Sequence, residues 1–332
     1  MLIQEQYNMQ IKICKTFEWS EHEWKTYCVS FNRVFKKQFS TDFFKHKYSS
    51  NFCCYSYHAL LLDDSDSVIG SCTIIPVKYK SGINDLLIIG QAVDVFINEE
   101  NRVDPLMLRR MYHKLKSLLI EENIIAVIAV PNATAYPYWK SVVKWKDVGN
   151  LTYWMIPVKI GNIKNILKFL NPLSIIFSRI WIYSNCFFSR FFDTRDKNYK
   201  YEILDDEMFY ENRFFENYHS FIEKQIKCFY RIVDEDGVKT AYLISAKKNN
   251  KTSFRALSLG TKSIINQHEV DLILFVGPLN FFQILFFKVP HKFEPKLLPM
   301  TCDILRNEDV EKFSDMLDYK NWNFGLFNYD VR

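Results

Sequence analysis

The chain has 332 residues, of which 48% are hydrophobic and 24% charged, and it contains 9 glycines and 10 prolines. This length suggests two domains, and the composition excludes a disordered chain, a collagen and a coiled coil. The net charge of +5 comes from one segment, because residues 159–200 hold eight basic and two acidic residues. We therefore do not expect a nucleic-acid-binding face spread over the chain.

Targeting and redox signals point to the cytoplasm. Residues 1–10 are polar and lack the apolar stretch of a signal peptide. The 8 cysteines form no CxxC pair and have no zinc-ligand spacing. The sequence therefore predicts a cytoplasmic protein with reduced thiols and no metal.

In chain order, the first half alternates between helical and strand patterns. Apolar residues at three- and four-residue spacing predict a helix over 17–46. A β-hairpin with an acidic turn follows over 58–75. The further predicted elements are a strand (86–97), a polar loop (98–106), an amphipathic helix (107–122), an apolar strand (124–130), a short helix (132–143) and a strand (151–158). The uniformly apolar strand is typical of a parallel position covered on both faces.

The second half repeats part of this pattern. Residues 230–244 again form a strand, an acidic turn and a strand. Asp66 and Asp236 are 170 residues apart, and so are Gly90 and Gly260. The third similar element is the apolar run IIAVIAVPN, which is matched later by VDLILFVGP over 270–278. Three similar elements in the same order predict a duplicated α/β unit.

The two copies differ in one connection. The first copy has 26 residues between Ile97 and Ile124, whereas this alignment leaves four between Ile265 and Val270. Because a crossover helix does not fit in four residues, we expect the second copy to lack it.

The order of elements over residues 15–158 resembles the GNAT acyltransferase fold, and residues 205–332 resemble the same fold more weakly. The fold class implied is α/β (α+β), with tandem GNAT-like domains and mixed central sheets. This double-GNAT arrangement is similar to Fem-type aminoacyltransferases and to acyltransferases encoded with surface-polysaccharide genes. The domains expected are 1–158 with the donor site, a connector at 159–204, and a degenerate second GNAT-like domain at 205–332.

The resemblance implies an acyl-CoA site between two strands. In GNAT proteins, the strand corresponding to 91–97 diverges from the one corresponding to 124–130, and the pantetheine arm pairs with the open edge, here near Val93 and Val95. An amide N–H of the strand then stabilises the oxyanion.

The resemblance also implies that the loop into the next helix holds the pyrophosphate through backbone N–H groups. The family pattern, Arg/Gln-x-x-Gly-x-Gly/Ala, corresponds to 102–107, where Pro105 and Met107 replace the glycines. The alternative is that this loop simply opens the helix, with Asp104 as its N-cap and Pro105 as its first residue. The candidate donor contacts, besides the two valines, are Arg102, Val103, Asp104, Leu106, Met107 and Asn132.

For catalysis, the resemblance implies a base on the first strand and a tyrosine on the short helix. Asp94 lies in an otherwise apolar strand and is the candidate base for an attacking ammonium. The family tyrosine would fall at Trp139, so the neighbouring Tyr138 is the candidate acid for the thiolate. The alternatives are that Asp94 faces solvent and that Tyr138 only packs against its neighbours.

These features predict transfer of an acetyl or other acyl group from acyl-CoA to a primary amine, such as an amino sugar of a surface glycan. No serine-elbow, P-loop or dinucleotide motif supports another chemistry. Two alternatives stay open. One is Fem-like transfer from aminoacyl-tRNA to a cell-wall or lipid-linked acceptor, and the other is a non-catalytic binding protein.

Residues 163–192 are rich in aromatic and aliphatic side chains. Arg179 lies centrally and Asn171-Pro172 interrupts the run, which disfavours a transmembrane helix. The basic charge instead fits a helix lying on the inner membrane surface. The alternative is a connector packed between the domains.

Overall fold

The computed structural model describes residues 9–82, 85–194, 198–214, 218–280 and 285–329. The chain divides into two compact units. Unit 1 combines Met1–Gly149, Tyr201–Asn212 and Leu298–Asn321, and unit 2 combines Asn150–Lys200, Arg213–Leu297 and Trp322–Arg332. Each unit contains a mixed sheet with helices, which confirms the predicted fold class.

The strands, in chain order, are β1 (Gln10–Lys15), β2 (Tyr57–Leu62), β3 (Val68–Ser81), β4 (Asp85–Ile97), β5 (Ala126–Ala129), β6 (Lys146–Asn150), β7 (Tyr153–Pro157), β8 (Tyr201–Ile203), β9 (His219–Glu223), β10 (Ile226–Glu235), β11 (Val238–Lys248), β12 (Lys251–Thr252), β13 (Leu272–Val276), β14 (Phe287–Lys288), β15 (Pro299–Ile304) and β16 (Trp322–Asn323). The helices are α1 (Glu21–Phe35), α2 (Thr41–Ser49), α3 (Met107–Glu121), α4 (Tyr136–Tyr138), α5 (Ile160–Ile163), α6 (Asn171–Phe188), α7 (Glu207–Arg213), α8 (Phe254–Gln267) and α9 (Asp309–Lys312).

The sheet of unit 1 runs in the order β1-β2-β3-β4-β5-β15-β6. Strands β4 and β5 are parallel and are joined by α3, whose apolar stripe of Met111, Leu115 and Leu119 is fully buried against the sheet. Helices α1 and α2 contribute to a separate aromatic core with Phe96 of β4. Because the sheet is covered by two cores, β2 is buried along its whole length.

The predicted helix over 17–46 is two helices. Ser20 caps α1 with a capping box, in which its side chain accepts from Glu23 N and the Glu23 side chain accepts from Ser20 N. The helix ends at Lys36, whose backbone is left-handed, and Asn32 then bridges the turn by hydrogen bonds to both backbone polar groups of Phe39. The periodicity hid this break because aromatic residues continue on both sides of it.

Unit 2 corrects one prediction. Its sheet runs β14-β7-β13-β11-β10-β9, and β11 and β13 are parallel neighbours joined by α8. The expectation that the second copy lacks a crossover helix is therefore wrong. The segment around Gly260, aligned with a strand, lies in α8, where Ser253 caps the helix and Gly260 packs closely on Cys228. The predicted strand over 270–278 is confirmed as β13.

The units also divide differently from the predicted domains. Strand β7, expected to complete the first domain, pairs with β13 in unit 2. Strand β15 returns to unit 1, where it pairs antiparallel with β5. This exchange involves partners far apart in sequence, so local patterns carry no signal for it.

Candidate acyl-donor site

Strands β4 and β5 pair along only part of their length. The parallel ladder joins Ile89, Gly90 and Gln91 to three consecutive residues of β5 and then stops. Strand β4 continues to Ile97 with β3 as its ladder partner. Among the described residues, the β5-facing edge of β4 has no ladder partner from Ala92 onwards. An open strand edge of this kind can accept an extended ligand by strand addition.

The ladder with β5 stops next to the end of β5 at Ala129, and a β-bulge lies three residues further along β4, at Asp94. In the β3–β4 ladder, Thr73 pairs with Val93 and Ser71 pairs with Phe96, so β4 has one extra residue. Asp94 takes up this residue in a left-handed backbone conformation, with φ of 50°. A bulge bends its strand and increases the local twist, so it changes the direction of β4 just beyond the stretch paired with β5.

The bulge directs the Asp94 side chain towards α2. Its Oδ2 forms an ion pair with Lys47 Nζ and accepts a hydrogen bond from Tyr48 Oη at 2.6 Å. The carboxylate is 11% exposed and the Lys47 side chain is 12% exposed. Tyr48 is fully buried and also bonds to Tyr27 Oη. Burial, and next the Asp94 carboxylate, raise the pKa of Tyr48 well above its ordinary value, so this phenol stays a proton donor.

This trio leaves one carboxylate oxygen for chemistry. The hydrogen bond and the ion pair both go to Oδ2, and Oδ1 has no hydrogen-bond donor within the described parts of the chain. An incoming ammonium can therefore place a proton on Oδ1 while Lys47 and Tyr48 hold the carboxylate in place. The sequence pattern did not single out Lys47 or Tyr48. The available signal was the spacing of Phe44 and Tyr48, which marks the buried side of α2.

The loop before α3 uses its backbone donors internally. Leu106 N donates to Asp104 Oδ1 at 2.8 Å, and Met107 N donates to the Asp104 carbonyl at 3.1 Å. Pro105 has no N–H, and Arg110 forms an ion pair with the Asp104 carboxylate. The Asp104 carboxylate thus uses the backbone donor that the resemblance assigns to a phosphate.

The start of α3 differs from the alternative considered for this loop. The helix begins at Met107 and its N-cap is Leu106, so Pro105 precedes the helix and Asp104 caps the turn before it. Leu106 and Val103 are exposed, whereas Met107 is buried in the core. Arg102 folds back and donates from Nε to the carbonyl of Ile97 at 2.8 Å.

The short helix contacts this loop through Tyr138. Its Oη donates to the Pro105 carbonyl at 2.6 Å and accepts from Arg109 N at 3.3 Å. Burial raises the pKa of Tyr138. Asn132 caps the turn leading into the helix, accepting from Ala135 N at 2.8 Å. Trp139, at the usual tyrosine position, is buried and packs on Trp145. The arrangement favours a positioning role for Tyr138, and its role as general acid stays a prediction.

Replacing Tyr138 with Phe separates these two roles. We expect the KM for acetyl-CoA to rise about five-fold, the equivalent of one hydrogen bond of about 1 kcal/mol, with kcat nearly unchanged. Steady-state kinetics measure both constants. Tyr136→Phe is the matched control, because its hydroxyl bonds to Asp147 instead of the loop. A large fall in kcat at unchanged KM would instead assign Tyr138 as the acid.

A cavity of about 480 Å³ lies elsewhere in unit 1, between α1, the start of β3 and the end of β4. Ser30, Asn98 and Glu100 are among its lining residues, and none of the predicted donor-site residues lines it. Asn98 is almost fully buried, and its Oδ1 has no hydrogen-bond partner in the part of the chain that the structure describes. No pattern in the sequence indicates this cavity, because it depends on the packing of three separate elements.

Solved structures with a similar fold are GNAT-type proteins. A probable N-acyltransferase from Enterococcus faecalis matches with a TM-score of 0.57 at 12% identity, over 90% of this chain and 73% of that chain. A GCN5-related N-acetyltransferase from Anabaena variabilis matches with a TM-score of 0.56 at 12% identity, over the same 90% and 73%. Eis1 from Mycobacterium abscessus matches with a TM-score of 0.52 at 8% identity, over 92% and 74%.

No protein-family model matches the sequence, and no curated protein does. The similarity is therefore one of fold. It extends over both units, and it confirms the predicted tandem GNAT-like architecture.

Proposed function

We propose that this protein is an N-acyltransferase that moves an acyl group, in the simplest case acetyl, from acyl-CoA to a primary amine. The observation that carries the proposal is the edge of β4 that has no ladder partner beyond Gln91 among the described residues, next to the bulge that holds Asp94. The shared fold with GNAT-type acyltransferases supports it.

In this proposal, the pantetheine arm pairs with the open edge of β4 beside Val93 and Val95. The amine attacks the thioester carbonyl, so that a C–N bond forms and the C–S bond breaks. The ammonium proton passes to Asp94, and a β4 amide N–H stabilises the oxyanion. The departing thiolate takes its proton from water, or from Tyr138 if this hydroxyl releases Pro105.

The acceptor would approach from the side of α1 and α2, towards which Asp94 is directed. The cavity beyond the end of β4 adjoins α1, and its lining holds two carboxylates, Asp63 and Glu100, and two cations, Lys25 and Arg33, of which Arg33 is ion-paired with Glu100. Because its cations balance its carboxylates, the cavity does not select the acceptor, and an amino sugar of a surface glycan is the acceptor that the resemblance implies. We place the reaction in the cytoplasm, where acyl-CoA is available.

An amine-dependent release of CoA tests this function. The purified protein is given acetyl-CoA and a panel of amino sugars and other amines, and free thiol is followed with a colorimetric reagent. We expect thiol release that requires both protein and amine. No release from any amine, together with no calorimetric binding of millimolar acetyl-CoA, would contradict the proposal.

One observation favours an alternative without catalysis. The Asp104 carboxylate already bonds to Leu106 N and Arg110 at the expected pyrophosphate position. A protein that has lost donor binding would show this arrangement, and it would bind neither acetyl-CoA nor CoA. The Fem-like alternative predicts instead an activity that ribonuclease abolishes, since its donor is aminoacyl-tRNA.

A further inference from the structure

An apolar surface covers one side of α6 and the turns on either side of it in unit 2. Twelve large hydrophobic side chains between residues 163 and 192 are exposed, with exposed fractions from 42% to 75%. They are Ile163, Ile166, Phe169, Leu173, Ile176, Phe177, Ile180, Tyr183, Phe187, Phe188, Phe191 and Phe192. A continuous apolar patch of this kind on a protein surface marks an interaction site.

The opposite side of α6 is fixed to unit 2. Ser178, Ile182 and Cys186 are buried, and the Cys186 thiol donates to the Ser258 carbonyl on α8. Trp181 donates from its indole nitrogen to the Leu285 carbonyl at 2.8 Å. At about 100° per residue, the exposed apolar side chains of α6 cover an arc of about 140° opposite this buried face. The helix is therefore amphipathic in its folded setting.

The segment Asn165–Phe188 is long and apolar enough to cross a membrane by length and composition. Crossing would require α6 to leave the core that holds its buried face. Lying along a membrane keeps those contacts and places the apolar arc among the acyl chains, which is the arrangement of interfacial helices.

The charges beside the arc indicate the kind of membrane. Lys164, Lys168, Arg179 and Arg190 are exposed, and residues 159–192 contain no acidic residue. On the helical wheel, Arg179 falls on one flank of the apolar arc, and Arg190 lies in the turn that follows α6. When the apolar arc is inserted, cations beside it lie at the level of the lipid headgroups and attract headgroups that are anionic. A second copy docking by the same face would bring these cations together, which disfavours a dimer through this surface.

We propose that α6 and its flanking turns bind unit 2 to the surface of an anionic lipid bilayer, with the apolar arc inserted and the cations at the headgroups. This surface would hold the protein at a membrane independently of any acyl transfer. Binding to a membrane also suits an acceptor that is carried by a lipid, although the test of membrane binding does not depend on the acceptor.

Vesicle co-sedimentation tests the proposal with the full chain. We expect binding to vesicles that contain phosphatidylglycerol and much weaker binding to pure phosphatidylcholine. The double variant Ile180→Glu/Phe187→Glu should lose at least about ten-fold in vesicle affinity, because each glutamate replaces an inserted apolar group. Arg179→Gln/Arg190→Gln should weaken binding at low salt by about five-fold per charge, from about 1 kcal/mol each.

The matched control is Ile222→Glu/Phe293→Glu. Ile222 has the same 61% exposure as Ile180 and also belongs to unit 2, and Phe293 is 65% exposed. This control should bind vesicles like the wild type, and circular dichroism should show all variants folded. Lack of wild-type binding to anionic vesicles overturns the proposal. A wild-type dimer that Ile180→Glu/Phe187→Glu converts to a monomer also overturns it. The same holds if the membrane-bound protein resists alkaline extraction, as a protein with a spanning helix does.

Discussion

Replacing Asp94 with Asn is expected to lower the rate of acetyl transfer by about 10²–10⁴-fold, the range that a positioned general base contributes. The amide cannot take the ammonium proton, although its oxygen can still accept the hydrogen bond from Tyr48. In the proposed complex the donor arm pairs with the backbone of β4, so the affinity for acetyl-CoA should stay close to that of the wild type. Initial rates of thiol release and calorimetric titration measure the two effects separately.

The matched control for this variant is Asp66→Asn. Asp66 also lies in unit 1 and has a left-handed backbone, with φ of 56°, but it is exposed in the turn between β2 and β3. Its rate should equal that of the wild type. Asp94→Asn also leaves the Lys47 ammonium without its carboxylate partner. Thermal melting of Asp94→Asn and of Asp94→Asn/Lys47→Gln shows whether loss of folded protein contributes to the lower rate. Wild-type rates in a folded Asp94→Asn protein would remove Asp94 from the mechanism.

Replacing Asp104 with Ala is expected to tighten the binding of CoA by about ten-fold. The change frees Leu106 N and Arg110 for the pyrophosphate and removes a negative charge beside it. A charge-assisted hydrogen bond contributes about 1.5–3 kcal/mol, part of which is offset by ordering the freed loop. Calorimetric titration with CoA gives the dissociation constants directly.

A second variant separates the loss of charge from the release of the donor. Glu99→Gln removes a negative charge from the same polar loop, but it frees no loop donor, because Arg102 N donates to the main-chain carbonyl of Glu99 and Leu106 N donates to the Asp104 side chain. We expect a change of less than about two-fold for this variant, because exposed charges are screened by solvent and salt. Equal gains for both variants would indicate a general charge effect, and weaker binding by Asp104→Ala would show that Asp104 organises the loop for its ligand.

The sequence was informative where structure follows from local patterns. The acidic turn between β2 and β3, the long strand β4 and the amphipathic α3 each show a local pattern, and together they indicated the α/β unit, whereas the open strand edge was expected only from the resemblance to GNAT proteins. Asp94 was the candidate base because it is a charged residue in an otherwise apolar strand, where a carboxylate without a partner or a function is unfavourable.

The remainder depends on contacts between distant residues. The bulge in β4 directs Asp94 towards Lys47 and Tyr48, and no spacing in the sequence announces that partnership. The exchange of β7 and β15 between the units is equally non-local. The repeat alignment failed for another reason. Gly260 matched Gly90 in residue type, but it lies in a helix where a small residue allows close packing on Cys228.

Hydrogen exchange of the β4 backbone tests the central claim most directly. The amides of residues 92–97 are followed by mass spectrometry with and without saturating acetyl-CoA, and residues 226–235 in unit 2 serve as the internal control. If the pantetheine arm adds to the open edge of β4, exchange over 92–97 slows on ligand addition while the control segment is unchanged. Unaltered exchange over 92–97, in protein that calorimetry shows to be saturated with acetyl-CoA, would contradict this account.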